Sequence, residues 1–347
     1  MARGGVLVTG ATGFVGFALC RRLADEGERV VAFVRDRDRA EPLERLGVEC
    51  RRVDIRRPDE VIARFPAGVE TVYHMAAAFR TEHARREEFH AVNVEGTRHL
   101  LDAAKTRGAG RFVHCSTVGV HGAIADPPAD ENAPFRPGDH YQRTKAEGER
   151  VVRERAGGGL PAVIVRPVGV YGPGDTRFLK LFRGIGRGRF VMIGSGRNRY
   201  HMTYIDDLIR GILLCGRDNR ALGGTFIVAG GDCPTVRELV DRIAAVLGRP
   251  KPRLRVPYGP VLVASFFCDR LCRALHLSPP PLSEEAPVLP GGTGIPHRQG
   301  EEDARVPPGD RPRRGTPPHL GLVPGKGDAL SPPETAMSAL RRGCRYI

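Results

Sequence analysis

The sequence predicts an α/β protein built on a doubly wound parallel sheet, with a smaller C-terminal lobe. Three observations predict it. Short, continuous apolar runs rich in Val and Ile recur through the first 170 residues, helical patterns lie between them, and a glycine-spaced turn joins the first run to the first helix. Strands buried on both faces read as unbroken apolar runs, and strict strand–helix alternation implies one parallel sheet with helices on both sides.

The runs come in the order "VLVTG", "RVVAFVR", "VECRRVDI", "TVYHMAA", "RFVHCST" and "PAVIVRP". Between them, "VNVEGTRHLLDAAKTRG" reads as one helix that stops at Gly108. This first domain spans residues 1–172. After Gly172 the rhythm changes to loops, a basic segment "LFRGIGRGRFVMIGSGRNRY" and a helix after "YIDD". A strand near 225–229, "TFIVAG", returns to the main sheet and leads to the helix "TVRELVDRIAAVLG". Residues 173–282 otherwise form the smaller lobe, closing over a substrate.

From about Ser283 the composition breaks. The last 65 residues hold 11 Pro and 10 Gly, with Tyr346 as their single aromatic, too little to offset ordering entropy. Residues 283–347 are therefore expected to be a disordered tail. Back-translated with free wobble bases and read one base later, the tail can spell an amphipathic ending with Trp and Tyr to bury. A shift of reading frame near Ser283–Glu285 is the corresponding expectation, and sequencing the locus decides it.

Charge excludes less than it first suggests. The net charge is +14, but 49 of the 54 basic residues are Arg, spread along the whole chain without a stripe or an aromatic RNA-binding motif. Nucleic acid is not an expected partner. The eight cysteines show no CxxC pair and no metal-like spacing, which fits reduced thiols and no metal site. No charged-then-apolar leader precedes the first strand and no run of 18 apolar residues occurs, so the expected setting is cytoplasmic.

The turn "TGATGFVG" follows a strand and opens a helix. Gly10, Gly13 and Gly16 would permit the tight turn, the approach of backbone to a pyrophosphate, and close helix–strand packing. The free N–H groups and positive dipole end of the helix would then face the phosphates. This makes the fold Rossmann-type and the expected cofactor a nicotinamide dinucleotide. At the end of the second strand, "AFVRDRDR" places Val34 where an acid would select NAD, followed by Arg35 with Arg37 nearby. Guanidinium suits a ribose 2′-phosphate, so NADP is favoured over NAD; a solvated charge run is the alternative.

In "YQRTK", Tyr141 and Lys145 are four apart and share one helix face. A phenol of pKa about 10 is a poor base at neutral pH, but a neighbouring ammonium and the cationic nicotinamide favour phenolate. Such a tyrosine takes a proton from an alcohol while hydride leaves its carbon. Upstream, "HCSTVGVHG" ends a strand with Ser116 and Thr117, whose hydroxyls could hold the substrate oxygen.

Together "TGATGFVG", "VDI", "HMAA", "NVEG", "CSTVGVHG", "YQRTK", "RPVGVYGPGD" and "YIDDL" make residues 6–282 resemble the extended short-chain dehydrogenase/reductase family. The resemblance implies that Tyr141 is the acid/base and that Lys145 orients the cofactor ribose and depresses the tyrosine pKa. It implies Thr117, rather than Ser116, as the hydroxyl partner. The cofactor contacts it implies are Gly10, Thr12, Gly13, Phe14, Val15 and Gly16 at the turn, and Asp54 and Ile55 at the adenine. Ala76 and Ala77 would line the groove, and Pro167 and Val168 would lie beside the nicotinamide. Asn93 would support the site, and His74 is read as packing. A homodimer through the Tyr141 helix is the family default.

The family divides between sugar-nucleotide epimerases or dehydratases and dehydrogenases of sterol-like alcohols. Dehydratases carry an Asp–Glu pair after the catalytic Thr; here Val118 and Gly119 follow. Sugar-nucleotide members place Arg where this chain has Tyr200, although Arg197 and Arg199 could compensate. "GSGRNRYHMTYIDD" and the apolar stretch "VPYGPVLVASFFCDRLCRALHLSPPPLS" resemble 3β-hydroxysteroid and sterol-carboxylate dehydrogenases. That stretch could touch a membrane surface, line an apolar pocket or form a core helix. The expectation is hydride transfer at a secondary alcohol or ketone of a sterol- or terpenoid-like substrate. The alternatives are nucleotide-sugar epimerisation and a cofactor-binding protein without activity.

Overall fold

The computed structural model describes residues 5–79, 86–124 and 129–261. The tail from Ser283 and most of the apolar stretch before it lie outside the described residues. In chain order the elements are β1 (Gly5–Thr9), α1 (Phe14–Asp25), β2 (Val30–Val34), α2 (Glu41–Glu44), β3 (Glu49–Arg52), α3 (Pro58–Arg64) and β4 (Val69–His74). Then come α4 (Arg86–His90), α5 (Gly96–Thr106), β5 (Arg111–Cys115), α6 (His140–Ala156), β6 (Ala162–Pro167) and β7 (Gly169–Tyr171). The last are α7 (Arg177–Gly186), β8 (Met192–Ile193), β9 (Met202–Tyr204), α8 (Ile205–Arg217), β10 (Thr225–Val228), α9 (Val236–Val246) and β11 (Arg255–Val256).

Seven strands form one parallel sheet in the order β10-β6-β5-β4-β1-β2-β3. The doubly wound α/β architecture is thus present, and the strand expected near 225–229 is β10, beside β6. Side chains alternate between the two faces with period two. Leu7, Val72, Phe112 and Ile164 face Leu100, Leu101, Val151 and Val152 of α5 and α6. Val8, Tyr73, Val113 and Val163 join the cluster of Leu19, Leu23, Leu208 and Ile212 from α1 and α8. The edge strand β3 is the exception: Glu49 and Arg52 are exposed and Cys50 and Arg51 only partly buried, as befits a strand with one neighbour and few apolar residues.

The helix expected over 92–108 is not one regular helix. It begins earlier, at Arg86, and passes through a π-turn at Ala91–Glu95 before α5. The wider turn buries both Asn93 and Val94 completely. It also brings Gly96 so close to the loop after β3 that a Cβ there would lie 2.8 Å from Ile55 Cδ1. Single π-turns of this kind often mark functional positions.

Two short parallel pairs, β7–β9 and β8–β11, lie outside the main sheet with α7 and α9. Phe182, Ile185, Leu239, Val240 and Ile243 are buried within this region. Helix α9 starts at a capping box, in which Thr235 Oγ1 accepts from Glu238 N at 3.2 Å and Glu238 Oε2 accepts from Thr235 N at 2.7 Å.

Helix α8 reaches the sheet through Gly216, where a Cβ would stand 2.2 Å from Tyr73 Oη and 2.7 Å from its ring. Gly216→Ala therefore overpacks this contact and is expected to cost about 1–3 kcal/mol in urea unfolding. An unchanged unfolding midpoint would mean that α8 shifts freely on the sheet.

Candidate functional site

The glycine turn presses on the segment that leaves β4. Gly10 has φ +69°, and a Cβ on it would lie 2.6 Å from Ala76 Cα, so both the left-handed backbone and the contact demand glycine. At Gly16 a Cβ would fall 2.2 Å from Gly10 O, which lets α1 sit directly on the turn. Gly13 is the N-cap of α1 and offers no side-chain acceptor, so the first N–H groups of the helix lack a side-chain cap. Thr12, Phe14 and Val15 lie around this turn, with Gly13 exposed at its rim. A close-fitting backbone cradle at an uncapped helix N-terminus suits a pyrophosphate, so these residues fit a dinucleotide cofactor.

At the other end of that groove, Arg35 follows β2, is two-thirds exposed, and faces Glu88 of α4 at 3.6 Å. The sequence reading paired Arg35 with Arg37. The tight turn Arg37–Arg39 instead brings Arg39 to the cradle, where its Nη2 donates to Thr12 O at 3.4 Å. Asp54 is gripped by the Arg56 guanidinium at 2.5–3.0 Å, which holds its carboxyl below the usual range. Ile55 is buried, and its carbonyl oxygen lies 3.0 Å from His99 Nδ1. Ala76 is partly buried under Gly10, and Ala77 is exposed.

The end of β5 meets the start of α6. Ser116 is 3% exposed, whereas Thr117 is half-buried and its hydroxyl accepts from Gly119 N at 3.1 Å. Gly119 is so close to α6 that a Cβ on it would lie 3.1 Å from Gln142 Cγ and 3.3 Å from Thr117 Oγ1. The Thr117 hydroxyl therefore sits beside the turn of α6 that carries Tyr141. Asp139 caps this helix by accepting from Gln142 N at 2.7 Å. Lys145 is buried, and its Nζ donates to Cys115 O at 2.6 Å, next to Ser116 in the chain. Burial pushes the Lys145 pKa down, against the pull of Cys115 and Glu149. Pro167 and Val168 are buried at the end of β6, where Val168 N donates to Val228 O at 3.2 Å.

Asn93 links these pieces. Its Oδ1 accepts from Ala78 N at 2.8 Å, and its Nδ2 donates to Thr144 Oγ1 at 2.9 Å and to Ala78 O at 3.2 Å. One buried carboxamide thus ties the loop after β4 to the helix carrying Tyr141 and Lys145. His74 is held in the same interior, with Nδ1 2.7 Å from Thr9 Oγ1 and Nε2 2.9 Å from Thr97 Oγ1.

Aromatic residues shape the open side. The Phe79 and Tyr141 rings meet edge-on at 4.8 Å, and the Arg177 guanidinium of α7 lies 5.9 Å from the Phe79 centroid. Phe178 and Tyr200 meet edge-on at 6.1 Å. Tyr200 lies over Gly169, where a Cβ would be 2.9 Å from its hydroxyl. Arg199 is turned away to Cys233 O at 2.8 Å. Phe79 and Arg177 were not singled out in the sequence, because neither belongs to a spaced motif.

The site has an electrostatic consequence for stability. Burial holds the His74 pKa down to about 3, and burial with the charge of Lys145 holds His114 well below the ordinary value. Between about 3 and 6.5 the unfolded chain therefore binds protons that the fold excludes, so stability is complete above about pH 6.5 and falls as pH drops. Both His114 ring nitrogens are buried without a hydrogen-bond partner. His114→Leu should accordingly flatten the loss of stability between pH 7 and 5 in urea unfolding. An unchanged pH slope would show that His114 ionises without cost.

Comparison with known proteins matches residues 6–230 to the NAD dependent epimerase/dehydratase family. The chain is 35% identical over 259 residues to Sterol demethylase protein B of Methylococcus capsulatus, covering 72% of this chain and 77% of that protein. It is 30% identical over 311 residues to 2-alkyl-3-oxoalkanoate reductase of Stenotrophomonas maltophilia, covering 86% and 92%. Among solved structures, a double mutant of DesIV, a dTDP-glucose 4,6-dehydratase from Streptomyces venezuelae with NAD bound, matches with a TM-score of 0.64 at 28% identity, covering 73% of this chain and 84% of that one. The family match takes in the glycine cradle, the Tyr141–Lys145 helix and the strands that place them, and the chain belongs to the NAD dependent epimerase/dehydratase family, a family of nicotinamide-dependent enzymes.

Proposed function

We propose that this enzyme transfers hydride at a secondary alcohol or ketone of an apolar substrate of sterol- or terpenoid-like character. The observation that carries this reading is the wall of rings beside Tyr141. Phe79 contacts Tyr141 directly, and a second ring pair, Phe178 with Tyr200, packs over Gly169. Sugar phosphates are usually read by guanidinium groups, but here Tyr200 fills the expected position and Arg199 is committed to Cys233 O. Similarity to a sterol demethylase protein and to an alkanoate reductase supports an apolar body on the substrate.

In this reading the nicotinamide, when bound, supplies or accepts the hydride. The Tyr141 hydroxyl gives or takes the carbinol proton, while the Thr117 hydroxyl orients the substrate oxygen. Lys145 keeps a positive charge near the phenol, which favours the phenolate needed as a base. Pro167 and Val168 offer the nicotinamide a dry wall. NADP is the preferred cofactor on this reading, because Arg35 follows β2, Arg39 reaches the cradle and no acid ends β2.

Sugar-nucleotide epimerisation is the second reading, and similarity to a dTDP-glucose dehydratase supports it. The two readings differ in what accumulates. With NAD or NADP and a 3β-hydroxysterol or a 2-alkyl-3-hydroxyalkanoate, reduced cofactor should build up, and UDP-hexoses should remain unchanged. Interconversion of UDP-hexoses with flat cofactor absorbance would reverse the choice. Arg35→Ala should weaken NADP binding about tenfold, the value of one charge-assisted contact, and leave NAD binding nearly unaltered. Equal losses for the two cofactors in titration would remove Arg35 from 2′-phosphate recognition.

A further inference from the structure

Helix α6 carries, besides Lys145, another buried ionisable group that this proton transfer does not use. Glu149 lies one turn beyond Lys145, on the same helix face, and is 0% exposed. An unpaired carboxylate in such a place is prohibitively costly. Arg166 of β6 meets it fork to fork, with Nε donating to Oε1 at 2.9 Å and Nη2 to Oε2 at 2.7 Å. Arg153, from the next turn of α6, adds a contact at 2.9 Å. Burial alone would raise the Glu149 pKa, but the Arg166 hydrogen bonds and charge hold it below the ordinary value.

Arg166 also reaches a second segment. Its Nη1 donates to Glu131 O at 2.7 Å and lies 3.0 Å from His121 Nε2, and the Phe135 ring centroid stands 5.1 Å from the guanidinium carbon. The ion pair therefore joins the face of α6 bearing Tyr141 and Lys145 to the residue immediately before Pro167.

The surroundings of Lys145 show what the pair is for. From β4 comes His74 and from β5 come His114 and Cys115; all three are held in their neutral forms by burial. His121, beyond Arg166, is also held toward its neutral form, by burial and then by Arg166. Arg153 and Arg166 bring positive charge. On the Tyr141 side, the smaller lobe brings Arg177, beyond the Phe79 ring and paired with Asp175 at 3.0 Å. Of the groups that act on the Lys145 charge, Cys115 and Glu149 favour it, and Glu149 is the carboxylate. Without it, Lys145 would face burial and two guanidinium ions with no counter-ion.

We propose that Glu149 is a positioning residue: held by Arg166, it supplies the counter-charge that keeps Lys145 an ammonium ion and sets the face of α6 against the strand end at Pro167. The consequence for catalysis rests on the roles proposed for Tyr141 and Lys145, but the charge of Lys145 can be read without turnover. The chain has five lysines, so 13Cε-lysine labelling gives a spectrum in which Lys145 is assigned by difference with Lys145→Met.

In the parent protein, the Lys145 signal should report an ammonium ion at pH 7. In Glu149→Gln its titration midpoint should fall by about one pH unit, a tenfold loss of proton affinity, while the other four lysines stay in place. Glu149→Gln/Arg166→Met removes both charges at once, which buried pairs tolerate, and should move Lys145 the same way by less. A neutral Lys145 in the parent at pH 7, or an unmoved midpoint in either folded variant, overturns the proposal. A shifted midpoint in a protein that oxidises none of the alcohols tested would uphold it and would instead remove the proposed function.

Discussion

Asn93 commits its whole carboxamide to two segments that are far apart in the chain. Three hydrogen bonds, none longer than 3.2 Å, fix Ala78 on one side and Thr144 on the other. An unsatisfied amide buried to this depth would cost about 1–3 kcal/mol, so loop and helix keep their spacing or lose that energy together. The π-turn at Ala91–Glu95 is what places the side chain there. Everything on the reacting side is measured from this point: Phe79 is one residue beyond Ala78, and Tyr141 and Lys145 flank Thr144.

The same interior is notable for where charge is allowed. His74 and His114 are neutral by burial, while beside them Lys145 donates to Cys115 O and Glu149 receives the fork of Arg166. Charge is thereby gathered where α6 packs on β6, with Arg166 of that strand closing the pair. A phenol at the edge of such a region feels an ammonium poorly screened by water. The outer wall is different in kind, with aromatic rings from both lobes and Arg177 spread over Phe79.

Much of this was legible in the sequence, for physical reasons that differ from residue to residue. The inner strands of the sheet could be read because strands buried on two faces admit little besides Val, Ile and their kin, whereas the exposed β3 could be read only from its place in the strand–helix alternation. The cradle could be read because Gly10 and Gly16 answer close contacts that any side chain would break. Helix α9 could be read from the spacing of its apolar residues, since a local pattern survives in one dimension. The π-turn could not be read, since Asn93 and Val94 look like ordinary helix until Ile55 is seen against Gly96. Arg39 was not singled out, because the tight turn Arg37–Arg39 decides which guanidinium reaches Thr12 O. Glu149 does sit at the right interval after Lys145. Its partner Arg166, though, is brought to it by the packing of α6 on β6, which no spacing along the chain discloses.

The central claim is that a hydride and a proton leave one carbinol together, the proton to Tyr141. It is tested most directly by single turnover of an alcohol carrying deuterium on its carbinol carbon. The account predicts one equivalent of deuterium on the reduced cofactor, a primary isotope effect, and a collapse of the transfer rate in Tyr141→Phe with cofactor binding retained. Transfer at the parent rate in Tyr141→Phe, or product formed with no deuterium on the cofactor, would contradict it.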